Sequence, residues 1–460
     1  MEKGLNIRGK RVVVVGLGRS GRAAALWLAR GGAEVTASDL RPGSAFAPDL
    51  LREVGDAGVR LELGGHAPET FLNADWIVLS PGVPPEVEPI RSARERGIPV
   101  FGEMELACRL LDIPMAGVTG TNGKSTVTAL LGAMLRGRGE RVFVGGNIGT
   151  PLMDLVTGRR AYDRGVVEVS SFQLDTLESF RPEVSVILNV SPDHLDRYVD
   201  YEAYVRSKLR IFLRQRPGTA VVLNDDDPRL REVDPGGHLR ALRYGLEEAP
   251  QRASWVSGDR VIARLPDREL ESFPLEGFAL PGRHNRENAM AAVLAALAMG
   301  ADREAVQKGI DTFRGLPHRL QLVGRAGGVA FYDDSKATNV DAAVRAVESF
   351  ERPLILIAGG RHKGADYGPL VRAARGRVKA AFFLGEARLL LAEAFEGAVP
   401  YRIVESMDEA VSEARARSVS GDVVLLAPAC SSFDMFQDYA HRGRAFSEAA
   451  RRFVNDVQEA

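Results

Sequence analysis

The stretch Ala116-Gly-Val-Thr-Gly-Thr-Asn-Gly-Lys-Ser-Thr126 constrains this chain more than any other. It follows a proline and a short apolar run, and it leads into the apolar-rich helical pattern Val127–Leu135. A strand, a glycine loop and a helix in that order make an anion cradle. Backbone N–H groups turn towards a phosphate, and the positive end of the helix dipole adds to the pull. Gly120, Thr121, Asn122 and Gly123 form the wrap, Lys124 supplies a mobile charge for the outer phosphates, and Ser125, followed by Thr126, offers a hydroxyl to Mg²⁺. The usual spacing G-x-x-x-x-G-K-[ST] places glycine where this chain has Val118; glycines stand at Gly117, Gly120 and Gly123 instead. A plain Gly/Thr/Asn turn is the alternative. Gly-Lys-Ser-Thr at a strand-to-helix junction argues for a nucleoside triphosphate.

With 460 residues the chain exceeds one ordinary core, and a domain per ~150 residues suggests three. The 60 basic and 61 acidic residues nearly cancel, which leaves no electrostatic footprint for nucleic acid or an anionic membrane. Cys108 and Cys430, far apart, make neither a disulfide framework nor a cysteine metal cluster, as expected of a reducing compartment. The longest apolar run, Ala289–Ala301, is thirteen residues, short of a membrane span and suited to a buried helix. The N-terminus lacks a secretory pattern, so the expectation is a cytoplasmic protein.

The first unit, residues 1–110, opens with the β-branched run Arg11–Val15, typical of a strand buried on both faces. Gly16-Leu17-Gly18-Arg19-Ser20-Gly21 leads into a helical segment, and a second strand ends at Asp39, near Arg41. This is a dinucleotide fingerprint. Its obvious reading is NAD with Asp39 on the ribose, but such a loop recognises a diphosphate, and UDP fits equally. Trp76–Leu79 reads as another strand. Its following loop, Ser80-Pro-Gly82-Val-Pro-Pro85, either faces a ligand crevice or is ordinary turn chemistry.

In the second unit, 111–314, Gly145-Gly-Asn147-Ile-Gly-Thr150 again follows a strand. Glu168 interrupts the β-branched run beginning at Gly165. A buried lone carboxylate needs a cation, so a metal ligand is one reading and a solvent-facing strand position the other. Ser191-Pro-Asp-His194-Leu-Asp196 follows a buried strand, which favours a site role for His194. Tyr201–Phe212 is an amphipathic helix in which Lys208, between Arg206 and Arg210, reads on physics alone as a surface cation. The turn Asn224–Asp227 holds a ribose or caps the next element. Asn285 and Asn288 stand at a helix start, where one of them could be an N-cap. Gly315-Leu-Pro-His-Arg319 is a helix-breaking hinge. The last unit, 315–460, alternates buried strands with helices as a second open α/β sheet. Cys430 has no general base beside it and reads as a small buried residue rather than a nucleophile.

Several motifs together resemble the Mur ligase family, ATP-dependent amino-acid-adding enzymes of peptidoglycan synthesis. They are Thr119–Thr126, Gly145–Gly149, Glu168-Val-Ser-Ser-Phe-Gln173, Ser191–Asp196, Pro281-Gly-Arg-His-Asn285, Leu316-Pro-His-Arg319, Asp334-Ser-Lys-Ala-Thr-Asn339 and Ala427–Phe436. The resemblance implies three α/β domains: an N-terminal Rossmann-like domain for UDP, a central P-loop ATPase-type domain, and a C-terminal Rossmann-like open sheet for the amino acid. It implies that Gly16, Leu17, Gly18, Arg19, Ser20, Asp39, Arg41, Ser80, Gly82 and Asn147 serve the UDP-linked substrate. Lys124 would hold the β/γ-phosphates; Ser125 and Glu168 would hold one Mg²⁺, and His194 would help place a second. Lys208 matches the family's carbamylated lysine, which reverses its surface reading and adds it to the metal set. Asn285, Asn288, Arg319 and Asp334 would serve ATP. Lys336, Thr338, Lys363, Ser432, Phe433 and Tyr439 would hold a dianionic D-glutamate. The implied reaction adds D-glutamate to UDP-N-acetylmuramoyl-L-alanine through an acyl phosphate, and a monomer is expected. Another Mur-type or folylpolyglutamate-type ligase is the nearest alternative, with Asp334–Asn339 as the separating feature. An NAD oxidoreductase leaves Gly120–Thr126, Glu168 and Lys208 without purpose. A nucleotide sensor without turnover leaves the intact Lys124, Glu168 and Lys208 unexplained.

Overall fold

The computed structural model describes residues 5–158, 161–193 and 197–455. The chain divides into two compact units, residues 1–273 with 290–309 and residues 274–289 with 310–460. Three sheets are present among the described residues.

The first sheet contains β1 (Arg11–Val15), β2 (Glu34–Asp39), β3 (Arg60–Leu63), β4 (Trp76–Leu79) and β5 (Val100–Gly102). Their order is β3-β2-β1-β4-β5, all parallel. Val12 to Val15 are each 3% exposed or less, as a continuous β-branched run covered on both faces requires. The strand order reverses between β1 and β4, and an open α/β sheet binds its ligand at such a point. There Ser80 Oγ donates to Gly16 O (2.6 Å). A Cβ on Gly21 would fall 1.8 Å from Gly16 O, so the third glycine of the fingerprint is fixed by close packing of helix Arg19–Arg30.

The second sheet, in the same unit, has nine strands: β6 (Met115–Thr119), β7 (Val142–Gly146), β8 (Arg164–Glu168), β9 (Val184–Ile187), β10 (Ala220–Asn224), β11 (Arg240–Tyr244), β12 (Arg252–Ser257), β13 (Arg260–Ala263) and β14 (Glu271–Pro274). Its order is β14-β13-β12-β11-β10-β9-β6-β8-β7. From β7 to β12 the strands are parallel, and β13 runs antiparallel to β12. β6 lies between β8 and β9, with Val118 opposite Glu168 and Thr119 opposite Ile187. The phosphate loop therefore leaves the sheet between the ends of two neighbours.

The third sheet belongs to the second unit: β15 (Gln321–Ala326), β16 (Val329–Asp333), β17 (Leu354–Gly359), β18 (Val378–Leu384), β19 (Tyr401–Ile403) and β20 (Val423–Leu426). Its order is β15-β16-β20-β17-β18-β19, parallel except for β15 against β16. The loops after β16, β17 and β20 thus share one edge. Helix Tyr439–Asn455 lays Phe446, Ala449 and Ala450 into the core of this sheet.

Helix Arg283–Ala298 carries the longest apolar run; Ala289 to Ala296 are all 0% exposed, a helix buried on every side. Because it begins at Arg283, Asn285 and Asn288 lie inside it, and the N-cap reading of either fails. Asn224–Asp227 does structural work. Asp227 Oδ1 accepts from Arg229 N and Leu230 N, while Asp225 and Asp226 pair with Arg252. No helix among the described residues is long and apolar enough to cross a membrane.

Candidate active site

At the first glycine loop, Asp39 is 6% exposed. Its Oδ2 accepts from Leu17 N (2.7 Å) and Arg41 Nη2 (2.8 Å), and its Oδ1 from Arg41 N (2.9 Å) and Nε (3.0 Å). Burial alone would raise the carboxyl pKa, but the Arg41 bonds and the Leu17 amide outweigh it and hold the group at about 2. All four acceptor positions of the carboxylate are taken. In this state Asp39 holds the loop and the Arg41 guanidinium, which lies 4.4 Å from the Phe46 ring centre. Arg19 Nη1 donates to Gly149 O (2.7 Å), tying this loop to the one after β7.

The phosphate loop explains its own spacing. Val118 is a fully buried strand residue rather than part of the wrap, while Gly120 (φ +150°) and Gly123 (φ +84°) have backbone conformations that L side chains rarely adopt. Asn189, just past β9, latches the loop: its Oδ1 accepts from Asn122 N (2.8 Å) and its Nδ2 donates to Asn122 O (3.1 Å). Thr121 N donates to Asn189 O (2.9 Å), and Thr121 Oγ1 donates to Ser191 O (3.1 Å). Asn189 belongs to a site residue set that the motifs alone do not identify; only the β6–β9 pairing places it here.

On the other flank, Glu168 is 2% exposed. Its Oε1 accepts from Asn147 Nδ2 (2.8 Å), whereas Oε2 is buried with no hydrogen-bond partner among the described residues. The solvent-facing alternative for Glu168 is thereby excluded, and Asn147 is seen on a metal-ligand candidate. Ser170 and Gln173 of the same motif form a capping box; this leaves Gln173 Nε2 buried with no hydrogen-bond partner among the described residues.

Lys208 is 1% exposed, so the surface reading of its sequence neighbourhood is wrong. The amphipathic pattern contained the signal: Tyr204, Val205, Ile211 and Phe212 are all buried on the stripe that Lys208 shares. Lys208 Nζ donates to Gly120 O (2.9 Å) and lies 4.5 Å from the Tyr204 ring centre. Lys124 Nζ donates to that same Gly120 O (2.8 Å) and to Thr121 O (2.8 Å). Burial, and then the neighbouring Lys124 charge, push the Lys208 pKa well below the ordinary lysine value. Two amines thus converge on one carbonyl, within electrostatic reach of the Glu168 carboxylate. His194 lies outside the described residues.

No group of three or more His, Cys, Asp or Glu among the described residues could hold a metal. Mg²⁺ does not require one, since it is commonly bound by one or two carboxylates with substrate phosphates and water. The buried bare oxygen of Glu168, with Ser125 4% exposed at the helix start, fits such an ion.

The remaining candidates lie in the second unit. Asn285 Nδ2 donates to Pro281 O (2.7 Å), and Asn288 Nδ2 to Asn285 Oδ1 (3.1 Å). Arg319 is flanked by two left-handed residues, His318 (φ +61°) and Leu320 (φ +42°). Leu320 N donates to Asp334 Oδ1 (3.1 Å), and burial raises the Asp334 carboxyl pKa to about 7, with Arg319 opposing that rise. Lys336 Nζ sits 3.7 Å from the Tyr439 ring centre. Ser432 is buried, while Phe433 stands 64% exposed on the same loop. Thr338 and Lys363 lie on the loops after β16 and β17. Cys430 is 1% exposed, 3.1 Å from Tyr367 Oη, and burial lifts its pKa to about 11, the character of an inert buried thiol.

Three open α/β sheets, one of them carrying a phosphate-loop turn beside a buried carboxylate and lysine, define the class of α/β proteins with a phosphate loop. Sequence comparison narrows the class. Residues 10–102 match the MurD-like N-terminal domain of Mur ligases, 118–296 the Mur ligase middle domain, and 318–430 the Mur ligase glutamate ligase domain. The UDP-N-acetylmuramoylalanine–D-glutamate ligase of Desulfosudis oleivorans is 47% identical over 450 residues, covering 98% of each chain. Its namesake from Acidobacterium capsulatum is 43% identical over 446 residues, covering 96% of each. Among solved structures, a pseudomurein peptide ligase type C from Methanothermus fervidus aligns with a TM-score of 0.62 at 20% identity, over 98% of this chain and 100% of that one. The UDP-N-acetylmuramate-alanine ligase of Thermotoga maritima gives 0.60 at 18% identity, over 98% and 99%. The chain belongs to the Mur ligase family. Enzymes of this family form amide bonds with ATP and Mg²⁺, releasing ADP.

Proposed function

We propose that this Mur ligase adds D-glutamate to UDP-N-acetylmuramoyl-L-alanine in peptidoglycan precursor synthesis, through an acyl phosphate. The full-length relatives that carry that name support the substrate pair. The arrangement of Glu168, Lys208 and the phosphate loop supports the route. A carboxylate is a poor electrophile and needs phosphorylation before an amine can attack it. The terminal alanine carboxylate attacks the γ-phosphate, forming a C–O–P bond while ADP leaves. The D-glutamate amine then attacks that carbonyl. The tetrahedral intermediate expels phosphate, and the amine loses a proton to leave the amide.

Lys124 leaves its resting carbonyls to neutralise charge on the transferring phosphoryl group. Ser125 and Glu168 would hold one Mg²⁺; His194 and Lys208, as a carbamate, would hold a second. When bound, these ions screen phosphate charge and orient the oxygens for in-line transfer. The depressed pKa of Lys208 supplies the neutral amine that carbamylation needs: its lone pair forms an N–C bond to CO₂ and a proton leaves. Asp39 orders the Leu17 amide and Arg41 for the UDP end, together with Gly16, Gly18, Arg19, Ser20, Ser80 and Gly82. Asn285, Asn288, Arg319 and Asp334 serve ATP, and Lys336, Thr338, Lys363, Ser432, Phe433 and Tyr439 the amino acid. The working domains divide near residues 110 and 314. The proposed enzyme acts in the cytoplasm as a monomer; sedimentation of the purified chain as a dimer would overturn the monomer.

The test is phosphate release with ATP, Mg²⁺ and the UDP-sugar substrate across a panel of amino acids; absence of a D-glutamate preference sinks the assignment. Lys208→Ala should lose most activity and regain part of it with added short carboxylic acids. Full activity without them refutes the carbamate.

A further inference from the structure

The second unit buries a cation that none of the proposed roles uses. Arg442, on helix Tyr439–Asn455, is 1% exposed. Its Nε donates to Ser335 Oγ (3.0 Å). Its Nη2 donates to Ser335 O (2.9 Å) and Cys430 O (3.1 Å), and its Nη1 to Cys430 O (3.1 Å), Gly359 O (3.2 Å) and Ser431 O (3.3 Å). No carboxylate forms an ion pair with it among the described residues. Burying a guanidinium without a counter-ion is costly unless its donors are satisfied, and here carbonyls and a hydroxyl satisfy them. It remains protonated at neutral pH, although burial lowers its pKa to about 10.

Its acceptors come from three places: the loop after β16, the end of β17 and the loop after β20. Those loops carry the candidate amino-acid residues. Lys336 follows Ser335, Ser432 and Phe433 follow Ser431, and Lys363 lies just beyond Gly359. Tyr439 joins through its carbonyl, which accepts from Ser335 Oγ (2.7 Å). Two backbone features show how tightly the loops close on the guanidinium. Gly360 (φ +134°) has no room for a Cβ, which would fall 2.1 Å from Ser431 O and 2.9 Å from Arg442 Nη1. Ala429 (φ +58°) accepts a left-handed conformation immediately before the Cys430 carbonyl, strain that persists only where the surroundings enforce it.

We infer that Arg442 is a positioning residue for the amino-acid site, its planar fork setting the mutual placement of the three loops that hold the incoming amino acid. Lysine keeps the charge but cannot reproduce the fork. The inference rests on the proposed D-glutamate set, so Lys363→Ala serves as its control. Expected for Arg442→Lys is a KM for D-glutamate raised on the order of tenfold, with kcat at saturating D-glutamate and the KM for the UDP-sugar substrate nearly unchanged. Ser335→Ala, which removes one acceptor and the Tyr439 link, should move the same constant by a smaller factor, and it carries the test if Arg442→Lys does not fold. A folded Arg442→Lys or Ser335→Ala enzyme with an unaltered KM for D-glutamate overturns the inference, provided that Lys363→Ala raises that constant. A parallel rise in every KM with a lowered Tm overturns it too, because that is the mark of a general staple. If Lys363→Ala leaves the constant unmoved, the amino-acid assignment itself fails.

Discussion

The two glycine loops of the first unit look alike in sequence and differ in what they leave unsatisfied. At the first, the acidic residue of the fingerprint is saturated: Asp39 accepts four hydrogen bonds, and its pKa falls to about 2. At the second, Glu168 is as deeply buried but has one oxygen with no hydrogen-bond partner among the described residues, and Lys208 is buried with its pKa driven down. One loop has its carboxylate fully bonded within the protein. The other sets a buried carboxylate and two amines close together with part of their bonding capacity unused, which is the arrangement that the proposed metal and phosphates would complete. Similar turns can therefore serve positioning in one place and chemistry in another, and the neighbours decide which.

The largest effect that tests this contrast is at Lys124. Lys124→Ala should lower kcat on the order of 10³-fold in phosphate release, leaving Tm nearly unchanged. Glu168→Gln should cost on the order of 10² in rate. Because an isosteric amide removes a buried bare carboxylate oxygen, its Tm in metal-free buffer should equal or exceed that of the parent. A large fall in Tm would show that Glu168 is structural and break the comparison.

Asp39→Asn should behave in the opposite manner. It gives up charge-assisted bonds to Leu17 and Arg41, so denaturant unfolding at neutral pH should show a loss of about 2 kcal/mol, with a higher KM for the UDP-sugar substrate. The sign follows from the lowered pKa. The stabilisation is full above the unfolded value of 3.8 and disappears as pH falls through about 2, so parent and variant should converge in acid.

Glu103 offers the most graded test, one of stability alone. It starts helix Glu103–Leu110 after the first sheet, is 1% exposed, and accepts from Met153 N (2.8 Å). Burial raises its pKa from 4.5 to about 7. The folded state then binds more protons than the unfolded one between those values, so stability declines as pH rises across that window. Glu103→Gln should lack this slope, gaining up to roughly 3 kcal/mol relative to the parent at pH 8 compared with pH 4. Identical pH profiles in urea unfolding would remove Glu103 from the account.

Much of this was legible in the chain. The β-branched run at Val12–Val15, the phosphate loop and the carboxylate in a β-branched strand at Glu168 are local patterns, and each appears where its periodicity places it. Lys208 was legible with more care, because it interrupts an apolar helical stripe. Arg442 heads a comparable stripe completed by Phe446, Ala449 and Ala450. Asn189 had no such signal; a polar residue at a strand end acquires meaning only from the strand beside it.

By itself, then, the sequence determined the α/β class and the two glycine loops, because those depend on spacing along one segment, and it carried the family resemblance in motifs spread from Thr119 to Phe436. Tertiary structure alone decided that Asp39 is saturated and Glu168 is not, that Lys208 is buried against the Gly120 carbonyl, and that Arg442 gathers three loops. The Leu17 amide on Asp39, the Asn147 amide on Glu168, the Gly120 carbonyl under Lys208 and the Gly359 and Ser335 acceptors around Arg442 all come from segments distant in sequence. A carboxylate's charge state or a lysine's pKa is set by what surrounds it in space, and sheet order, not residue order, assembles those surroundings.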